Sequence, residues 1–232
     1  MTNETWHSVW ERKGSASASK ENHSEDELFA ANGYDTPLGV TSARSRLHML
    51  RTIAGALEIA PHKSLLDVGC GSGAMLSMLR DRELQLSGVD FSASLVELAR
   101  RALKDADIRT AEAAELPFAS GRFDIVLCHG VFLYFQDFQY AGTALKEMLR
   151  VCRSQARIWI GDIPDLNKKD TCLAARRDAG ASLTPEHLFY SKQFFETFAS
   201  AYALRPTIVD QDVPDYANSP FRFNVLLERG YD

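Results

Sequence analysis

The sequence has little positive charge. Its 26 lysine and arginine residues are outnumbered by 31 aspartate and glutamate residues, giving a formal net charge of −5. Proteins that bind nucleic acids usually carry an excess of positive charge, because contacts to phosphates supply most of their affinity. We therefore expect no nucleic-acid partner.

Paired cysteines and long apolar runs are also missing. The four cysteines form no Cys-x-x-Cys pair, which is typical of reduced thiols in the cytoplasm. No apolar run approaches the roughly 20 residues that a membrane-spanning helix needs, and the start, "MTNETWHSVW", lacks the apolar core of a signal peptide. No His-Glu-x-x-His motif or tight cluster of histidines and acids appears. We expect a cytoplasmic protein with no membrane partner and no metal.

The chain does contain an alternation of short apolar runs and helical patterns. The runs are "KSLLDVG", "LQLSGVD", "DIRTAEA", "FDIVLCHG" and "ARIWIGDI", with helical spacing of apolar residues between most of them. This alternation predicts an open parallel sheet with helices on both faces. The last two runs, "RPTIVDQDV" and "FRFNVLLER", are joined by too few residues for a parallel crossover, so we expect an antiparallel hairpin there.

Residues 1–60 differ from this alternating part. The Ser-rich stretch "SASASKENHSED" predicts a flexible segment, and "SARSRLHMLRTIAGALEIA" predicts a helix. The face that we expect to pack on the body of the protein consists of Leu47, Leu50, Ile53, Ala54 and Leu57. We expect residues 1–60 to form a helical lid or substrate segment beside a main domain of residues 61–232.

A second unusual segment lies at about residues 164–190. It is long for a plain connection, and loops exceeding roughly 12–15 residues are often functional. Inside it, Thr184, Pro185 and Glu186 predict the start of a helix. The charges of "NKKD" and "ARRD" are most simply a solvated face, with contact to an acidic substrate as the alternative. We interpret this segment as a cap-like insertion.

The stretch "LLDVGCGSGAM", residues 65–75, has two interpretations. Gly69, Gly71 and Ala74 fit the G-x-G-x-x-G/A turn that holds the pyrophosphate of a dinucleotide. Asp67, Gly69, Gly71 and Gly73 instead fit the acidic, glycine-rich turn of an S-adenosylmethionine (SAM) pocket. A carboxylate beside the turn would repel a pyrophosphate but suits a cationic ammonium and sulfonium ligand, so Asp67 favours SAM.

Two further acidic residues follow the next two strands. Asp90 ends "SGVD", where a carboxylate can accept hydrogen bonds from ribose hydroxyls in either kind of site. Phe91, beside it, can pack on adenine or in the core. Glu112 follows the third predicted strand, ahead of a Leu-Pro-Phe turn.

Together these pieces resemble the class I SAM-dependent methyltransferases, in particular the subgroup related to the methyltransferases of ubiquinone and menaquinone biosynthesis. The similar stretches are "LLDVGCGSG", "GVDFS", "AEAAELPF", "FDIVLCHGVFLYFQD" and the terminal hairpin. The resemblance implies a Rossmann-like α/β fold with seven strands in the order 3-2-1-4-5-7-6 and strand 7 antiparallel. It also implies SAM as cofactor and S-adenosylhomocysteine as product.

The resemblance implies a set of SAM contacts: Asp67, Gly69, Gly71, Gly73, Asp90, Phe91, Glu112, Ala113 and His129. Asp67 would lie near the ammonium group, Asp90 would bind the ribose, and Glu112 with the backbone of Ala113 would contact adenine. His129 would face the sulfonium methyl group.

For the reaction, we expect methyl transfer to a small-molecule acceptor, most simply a hydroxyl of a polar metabolite or sugar. His129 is the candidate general base, since its ordinary pKa suits proton transfer near neutral pH; the alternative is that it only shapes the pocket. The candidate acceptor contacts are Trp10, Tyr34, Tyr134, His187 and Tyr190. We expect a monomer or a homodimer.

Two other functions stay open on the sequence. One is a SAM-binding regulatory or partner subunit without turnover. The other is an NAD-dependent oxidoreductase, which would use Gly69, Gly71 and Ala74 and would end in a parallel strand.

Overall fold

A computed structural model describes residues 5–17 and 23–229 of the chain. Within these ranges the strands are β1 (Ser64–Val68), β2 (Gln85–Asp90), β3 (Asp107–Thr110), β4 (Phe123–His129), β5 (Cys152–Pro164), β6 (Leu204–Asp210) and β7 (Arg222–Arg229). The helices are α1 (Trp6–Ser17), α2 (Glu25–Ala31), α3 (Ala43–Ala56), α4 (Ala74–Ser77), α5 (Ala93–Ala102), α6 (Phe138–Val151), α7 (Lys169–Asp178) and α8 (Lys192–Ala201). None of these helices is long and apolar enough to cross a membrane.

The seven strands form a single sheet in the order β3-β2-β1-β4-β5-β7-β6. Strands β1 to β5 pair in parallel, whereas β7 is antiparallel to both β5 and β6. The predicted strand order and terminal hairpin are therefore confirmed. Because β1 to β5 are parallel, their carboxyl ends meet at one edge of the sheet, where open α/β sheets bind ligands.

Helices cover both faces of the sheet. Successive residues of β1 point to opposite faces, so that Leu65 packs with α3 and α4 on one side and Leu66 packs with α6 on the other. The strand is buried at every position, as expected for a parallel strand with helices above and below it.

Local signals explain where the N-terminal helices start. Ser24 and Ser42 are the N-caps of α2 and α3, and each forms a capping box with the residue three positions later. The helix predicted within residues 42–60 is α3, Ala43–Ala56, and Leu50 and Ile53 on its inner face and Leu57 at its C-cap are buried.

Leu47 and the Ser-rich stretch differ from the prediction. Leu47 is 42% exposed, and Met49 takes the inner position instead. In the Ser-rich stretch, residues 15–17 complete α1 and Ser24 begins α2, while the predicted flexibility of residues 18–22 lies outside the described residues.

The insertion at residues 164–190 also differs from the prediction. Its helix is α7, which starts at Lys169, whereas Thr184, Pro185 and Glu186 are not helical. Helix α7 carries five charged residues among ten, so its apolar periodicity is weak in the sequence.

Candidate functional site

A cavity of about 880 Å³ opens at the carboxyl ends of β1, β2, β4 and β5. Its other walls come from α1, from residues 32–39 and from residues 180–187 of the insertion. Ligand-binding cavities typically measure about 300–1,000 Å³. The cavity is therefore large enough for a cofactor and a second small molecule.

The glycine turn after β1 forms the floor of this cavity. Gly69 and Gly71 have φ angles of +76° and +53°, the left-handed region that side chains disfavour. A Cβ atom on Gly69 would lie 2.4 Å from Val131 Cγ2, and one on Gly71 would lie 2.3 Å from Asn32 Oδ1. The glycines are thus required both by the backbone and by the close approach of neighbouring segments.

Gly73 does not line the cavity, in contrast to the prediction. It is the N-cap of α4 with a φ angle of +80°, and a Cβ atom there would lie 2.8 Å from Leu103 Cδ1. Its small size serves the packing of α4 against α5.

Asn32 is a contact that the sequence analysis missed. Its Oδ1 accepts a hydrogen bond from the Ser72 backbone N–H at 2.7 Å, and its Nδ2 donates to the Cys70 carbonyl at 3.3 Å. The C-cap of α2 therefore holds the glycine turn from above. The stretch "NGYD" marks a turn, but nothing in the sequence pairs it with residues 70–72.

Asp67 and Asp90 are buried carboxyl groups beside the turn. Asp90 accepts hydrogen bonds from the backbone N–H groups of Gly71 and Ser92, each at 2.9 Å. Burial raises its pKa to about 6, while those two hydrogen bonds oppose the shift. Burial, together with the charge of Asp90, raises the pKa of Asp67 to about 8.

Asp67 accepts no hydrogen bond from the described part of the chain, although its side chain lines the cavity. A buried carboxyl without a partner is costly. The ammonium group of a ligand would supply such a partner. Glycines that bring the backbone close, with an unpartnered acid beside them, fit SAM.

Glu112, Ala113 and Phe91 line the cavity at the ends of β2 and β3, and their contacts with adenine stay a prediction. The Glu112 carboxylate accepts a hydrogen bond from the hydroxyl of Tyr140, which fixes it at the rim. The ring of Phe91 stacks on His7 of α1 with 4.9 Å between ring centroids. These residues come together although three different segments supply them.

His129 lines the cavity at the end of β4. Burial lowers its pKa, so the imidazole is neutral near pH 7. Both ring nitrogens are shielded from solvent and have no hydrogen-bond partner among the described residues, because the ring lies against Gly161 of β5. The predicted role as general base stays a prediction.

Aromatic side chains from the N-terminal segment and the insertion meet across the mouth of the cavity. Trp6 stacks on His187 with 4.9 Å between ring centroids and donates a hydrogen bond from Nε1 to the Glu186 carbonyl at 2.9 Å. Tyr134 contacts both Trp6 and Trp10 edge-on. Trp10, Tyr134 and His187 therefore lie together at the cavity, as does Tyr34.

Tyr190 is not at the cavity, which corrects the prediction. Its side chain is fully buried, and its hydroxyl donates to the Phe132 carbonyl at 2.9 Å. The ring packs against Phe195 and Phe138. Tyr190 belongs to the hydrophobic core beneath α6 and α8.

A buried polar group at the far end of the cavity was also missed. Asp162, in a bulge of β5 with a φ angle of +57°, accepts hydrogen bonds from Gln211 Nε2 and the Tyr216 hydroxyl, each at 3.0 Å. Arg222, at the start of β7, lies 3.6 Å from the same carboxylate. The antiparallel position of β7 brings these residues together, and no short-range pattern signals the bulge.

Among the described residues, no group of three or more His, Cys, Asp or Glu side chains is placed to hold a metal ion.

Comparisons with known proteins agree with this geometry. Residues 66–160 match the family model described as a methyltransferase domain. A demethylmenaquinone methyltransferase from Thermotoga maritima is 30% identical over 121 residues, which cover 51% of this chain and 51% of that protein. A 27-O-demethylrifamycin SV methyltransferase from Amycolatopsis mediterranei is 29% identical over 59% of this chain and 53% of that protein. The chain spans about half the length of the curated relatives it matches.

Solved structures show the same fold. A chain of the Haloferax volcanii complex between the Trm112 methyltransferase activator and a methyltransferase has a TM-score of 0.67 and 16% identity, covering 90% of this chain and 99% of that one. Geranyl diphosphate C-methyltransferase from Streptomyces coelicolor A3(2), in complex with Mg²⁺, geranyl diphosphate and S-adenosyl-L-homocysteine, has a TM-score of 0.62 and 16% identity, covering 93% and 89%.

The matched domain and the names of the curated relatives agree on methyl transfer, and the fold is shared with solved methyltransferase structures. Residues 66–160 of the chain match a methyltransferase domain, and about half of the chain is similar to methyltransferases of the menaquinone type.

Proposed function

We propose that the whole protein transfers a methyl group from SAM to a hydroxyl of a small polar molecule. One observation carries this proposal: a single cavity joins the glycine turn and the unpartnered Asp67 at one end to a wall of polar side chains at the other. A cofactor and an acceptor can therefore meet in one enclosed space.

In this proposal the SAM contacts are those at the carboxyl ends of β1 to β3. Gly69 and Gly71 let the backbone approach the methionine part, and Asp67 binds the ammonium group. Asp90, held by two backbone N–H groups, binds the ribose hydroxyls. Glu112 and the backbone of Ala113 contact adenine, with Phe91 beside it.

When bound, SAM supplies a methyl carbon that is attacked in line by the acceptor. Most of the help that the protein gives to such a displacement is positioning and exclusion of water. Trp6, Trp10, Tyr134 and His187 enclose the mouth of the cavity and would exclude water. Neutral His129 could take the hydroxyl proton, provided that its ring turns away from Gly161 to present a nitrogen.

The acceptor class is supported by the chemistry of the far wall. Asp162, Arg222, Tyr216 and Asn218 line it, so a purely apolar acceptor would leave polar groups without partners. The name of the Amycolatopsis mediterranei relative states an O-methylation, which supports a hydroxyl as the acceptor atom.

We also propose that residues 1–60 act as the lid and residues 164–190 as the cap of this site. The hydrogen bond from Trp6 to the Glu186 carbonyl joins the two segments. We further propose that the acceptor is a small molecule. We also propose that the protein is a monomer or a homodimer.

Calorimetric titration with SAM, S-adenosylhomocysteine and NAD tests the cofactor. We expect micromolar binding of the first two and no binding of NAD. With SAM bound, methyl transfer from labelled SAM to a panel of small hydroxyl compounds tests turnover. A protein that binds SAM and methylates none of a broad panel would instead be a SAM-binding subunit.

A further inference from the structure

The far wall of the cavity holds more positive than negative charge. Arg222 is 2% exposed, and its Nε and Nη1 atoms are shielded from solvent with no hydrogen-bond partner among the described residues. Its nearest acid is Asp162, at 3.6 Å from Nε to Oδ1, which is too long for a hydrogen bond. Buried charged donors without acceptors are costly, so this guanidinium is suited to a ligand.

Asp162 forms no hydrogen bond with Arg222, because 3.6 Å from Nε to Oδ1 is too long, and both of its oxygens accept from other side chains. Oδ1 accepts from Gln211 Nε2, and Oδ2 accepts from the Tyr216 hydroxyl. Asp162 partly balances the charge of Arg222 and leaves its Nη1 donor unused.

A second guanidinium reaches the same cavity from the insertion. Arg176 of α7 lines the cavity, and its hydrogen bond in the described structure goes to the Ser182 carbonyl. No carboxylate of the described residues forms an ion pair with it. Burial is the main cause that lowers its pKa, and the charge of Arg222 lowers it further.

The charges of this wall do not cancel. Arg176 and Arg222 contribute two positive charges against one from Asp162, while burial lowers the pKa values of His129 and His187 and keeps both neutral near pH 7. The other acids that line the cavity are at its opposite end or at the exposed mouth. One unbalanced positive charge fits one negative charge on a ligand.

We propose that the methyl acceptor carries a carboxylate, which binds between Arg222 and Arg176. Guanidinium groups present paired N–H donors that match the two oxygens of a carboxylate. A single unbalanced charge favours a monoanion over a phosphate dianion. The identification of this ligand as the acceptor rests on the proposed methyl transfer, whereas the anion site itself does not.

The site lies beside the expected position of transfer. Gly161, which precedes Asp162, pairs in register with His129, and a Cβ atom built on Gly130 would lie 3.8 Å from Asp162 Oδ2. A carboxylate held there would orient the rest of the acceptor along the end of β4.

The test uses acetate as the probe, with acetamide as its neutral equivalent and inorganic phosphate as the competing anion. The full-length protein is saturated with S-adenosylhomocysteine and titrated at constant ionic strength, and the melting temperature reports binding. We expect a saturable stabilisation by acetate, none by acetamide and a weaker effect of phosphate. No saturable effect of acetate, an equal effect of acetamide, or tighter binding of phosphate would each overturn the proposal.

Substitutions locate the site. Arg176→Met should weaken acetate binding at least tenfold, while Arg177→Met, at an exposed position on the same helix, should leave it unchanged. Arg222→Met should abolish acetate binding if this variant folds. If Arg222→Met does not fold, the result for Arg176→Met decides whether the site exists. Acetate binding that survives Arg176→Met contradicts the proposal.

The affinity for S-adenosylhomocysteine distinguishes a failure of the proposed anion site from a failure of the proposed function. If it is retained and the acetate response is absent, only the anion site is wrong. If S-adenosylhomocysteine itself does not bind, the proposed function fails.

Discussion

At the scale of single residues, the two buried carboxyl groups of the cofactor site differ in how they are held. Asp90 accepts two backbone hydrogen bonds, whereas Asp67 accepts none from the described residues and has its pKa raised to about 8. Asp67 is therefore the group whose charge should change when a cation arrives.

Binding of SAM should release protons near neutral pH. Burial favours the protonated form of Asp67 in the free protein, and the ammonium group of SAM favours the ionised form, so its pKa falls on binding. We expect about one proton released per SAM at pH 7, and an affinity that rises between pH 6 and 7. Calorimetry in two buffers of different ionisation enthalpy measures this release.

The raised pKa of Asp67 also makes the folding stability of the protein depend on pH. Because the pKa of Asp67 is raised from 3.8 to about 8 in the folded protein, the ligand-free protein should lose stability as the pH rises from about 4, and this loss should be complete near pH 8. In the Asp67→Asn variant both pH effects should be absent. Proton release that persists in this variant would assign it to another group.

We expect the Asp90 carboxylate to bind the ribose hydroxyls of SAM. We expect Asp90→Asn to weaken SAM binding at least tenfold, about 1.4 kcal/mol, because an amide replaces a carboxylate that already orders the turn through Gly71. Asp105→Asn, at an exposed position, is the matched control and should bind SAM normally. Circular dichroism checks that both variants fold; unchanged affinity in Asp90→Asn removes the ribose assignment.

At the scale of elements, α1 is fastened to α5 by polar contacts and by close backbone approach. Glu11 accepts hydrogen bonds from the Ser92 hydroxyl at 2.7 Å and from the Ser94 backbone N–H at 3.2 Å. A Cβ atom on Gly14 would lie 2.2 Å from Ser94 Oγ and 2.7 Å from the Leu95 backbone nitrogen. There is no room for a larger residue at this crossing.

Two glycine substitutions should therefore have opposite effects. Gly142→Ala in α6, where a Cβ atom would meet nothing within 4 Å, should stabilise the protein by about 0.5–1 kcal/mol, as alanine does in helices. Gly14→Ala should not be stabilised, because the new Cβ atom has no room at the contact with α5. It should detach α1 from α5, which limited proteolysis would detect. Denaturant unfolding measures the first effect; equal stabilisation by both variants would show that α1 does not pack tightly on α5.

The sequence predicts elements better than the contacts between them. Strands β1, β2 and β4, the glycine turn and the terminal hairpin all carry local signals, and the implied strand order is confirmed. Asn32, Asp162 and Arg222 were missed, because each acquires its role from a segment at least 38 positions away. Tyr190 was wrongly predicted to contact the acceptor. The sequence does not distinguish an aromatic residue that faces the cavity from one that faces the core.

At the scale of the whole molecule, the cavity is a joint product of distant parts of the chain. The parallel strands supply the cofactor end, β7 supplies Arg222, and the N-terminal segment and the insertion enclose the mouth. Ligands should therefore couple these parts.

Hydrogen–deuterium exchange should show this coupling. We expect S-adenosylhomocysteine to slow exchange in residues 32–39 and in α1 as well as in the glycine turn, since Asn32 contacts Cys70 and His7 contacts Phe91 beside the proposed cofactor site. Helix α8, which lies away from the cavity, is the internal reference. Protection confined to the turn would mean that residues 1–60 do not act as a lid.

The hydrogen bond from Trp6 to the Glu186 carbonyl spans 180 residues of sequence and acts as a latch between two segments that line the mouth of the cavity. In the proposed reaction, a product that leaves between these two segments would have to break this latch. In enzymes with such closures, departure of the product often limits turnover, so the speed of this protein would be set by how fast the latch opens and would fall in viscous solvent.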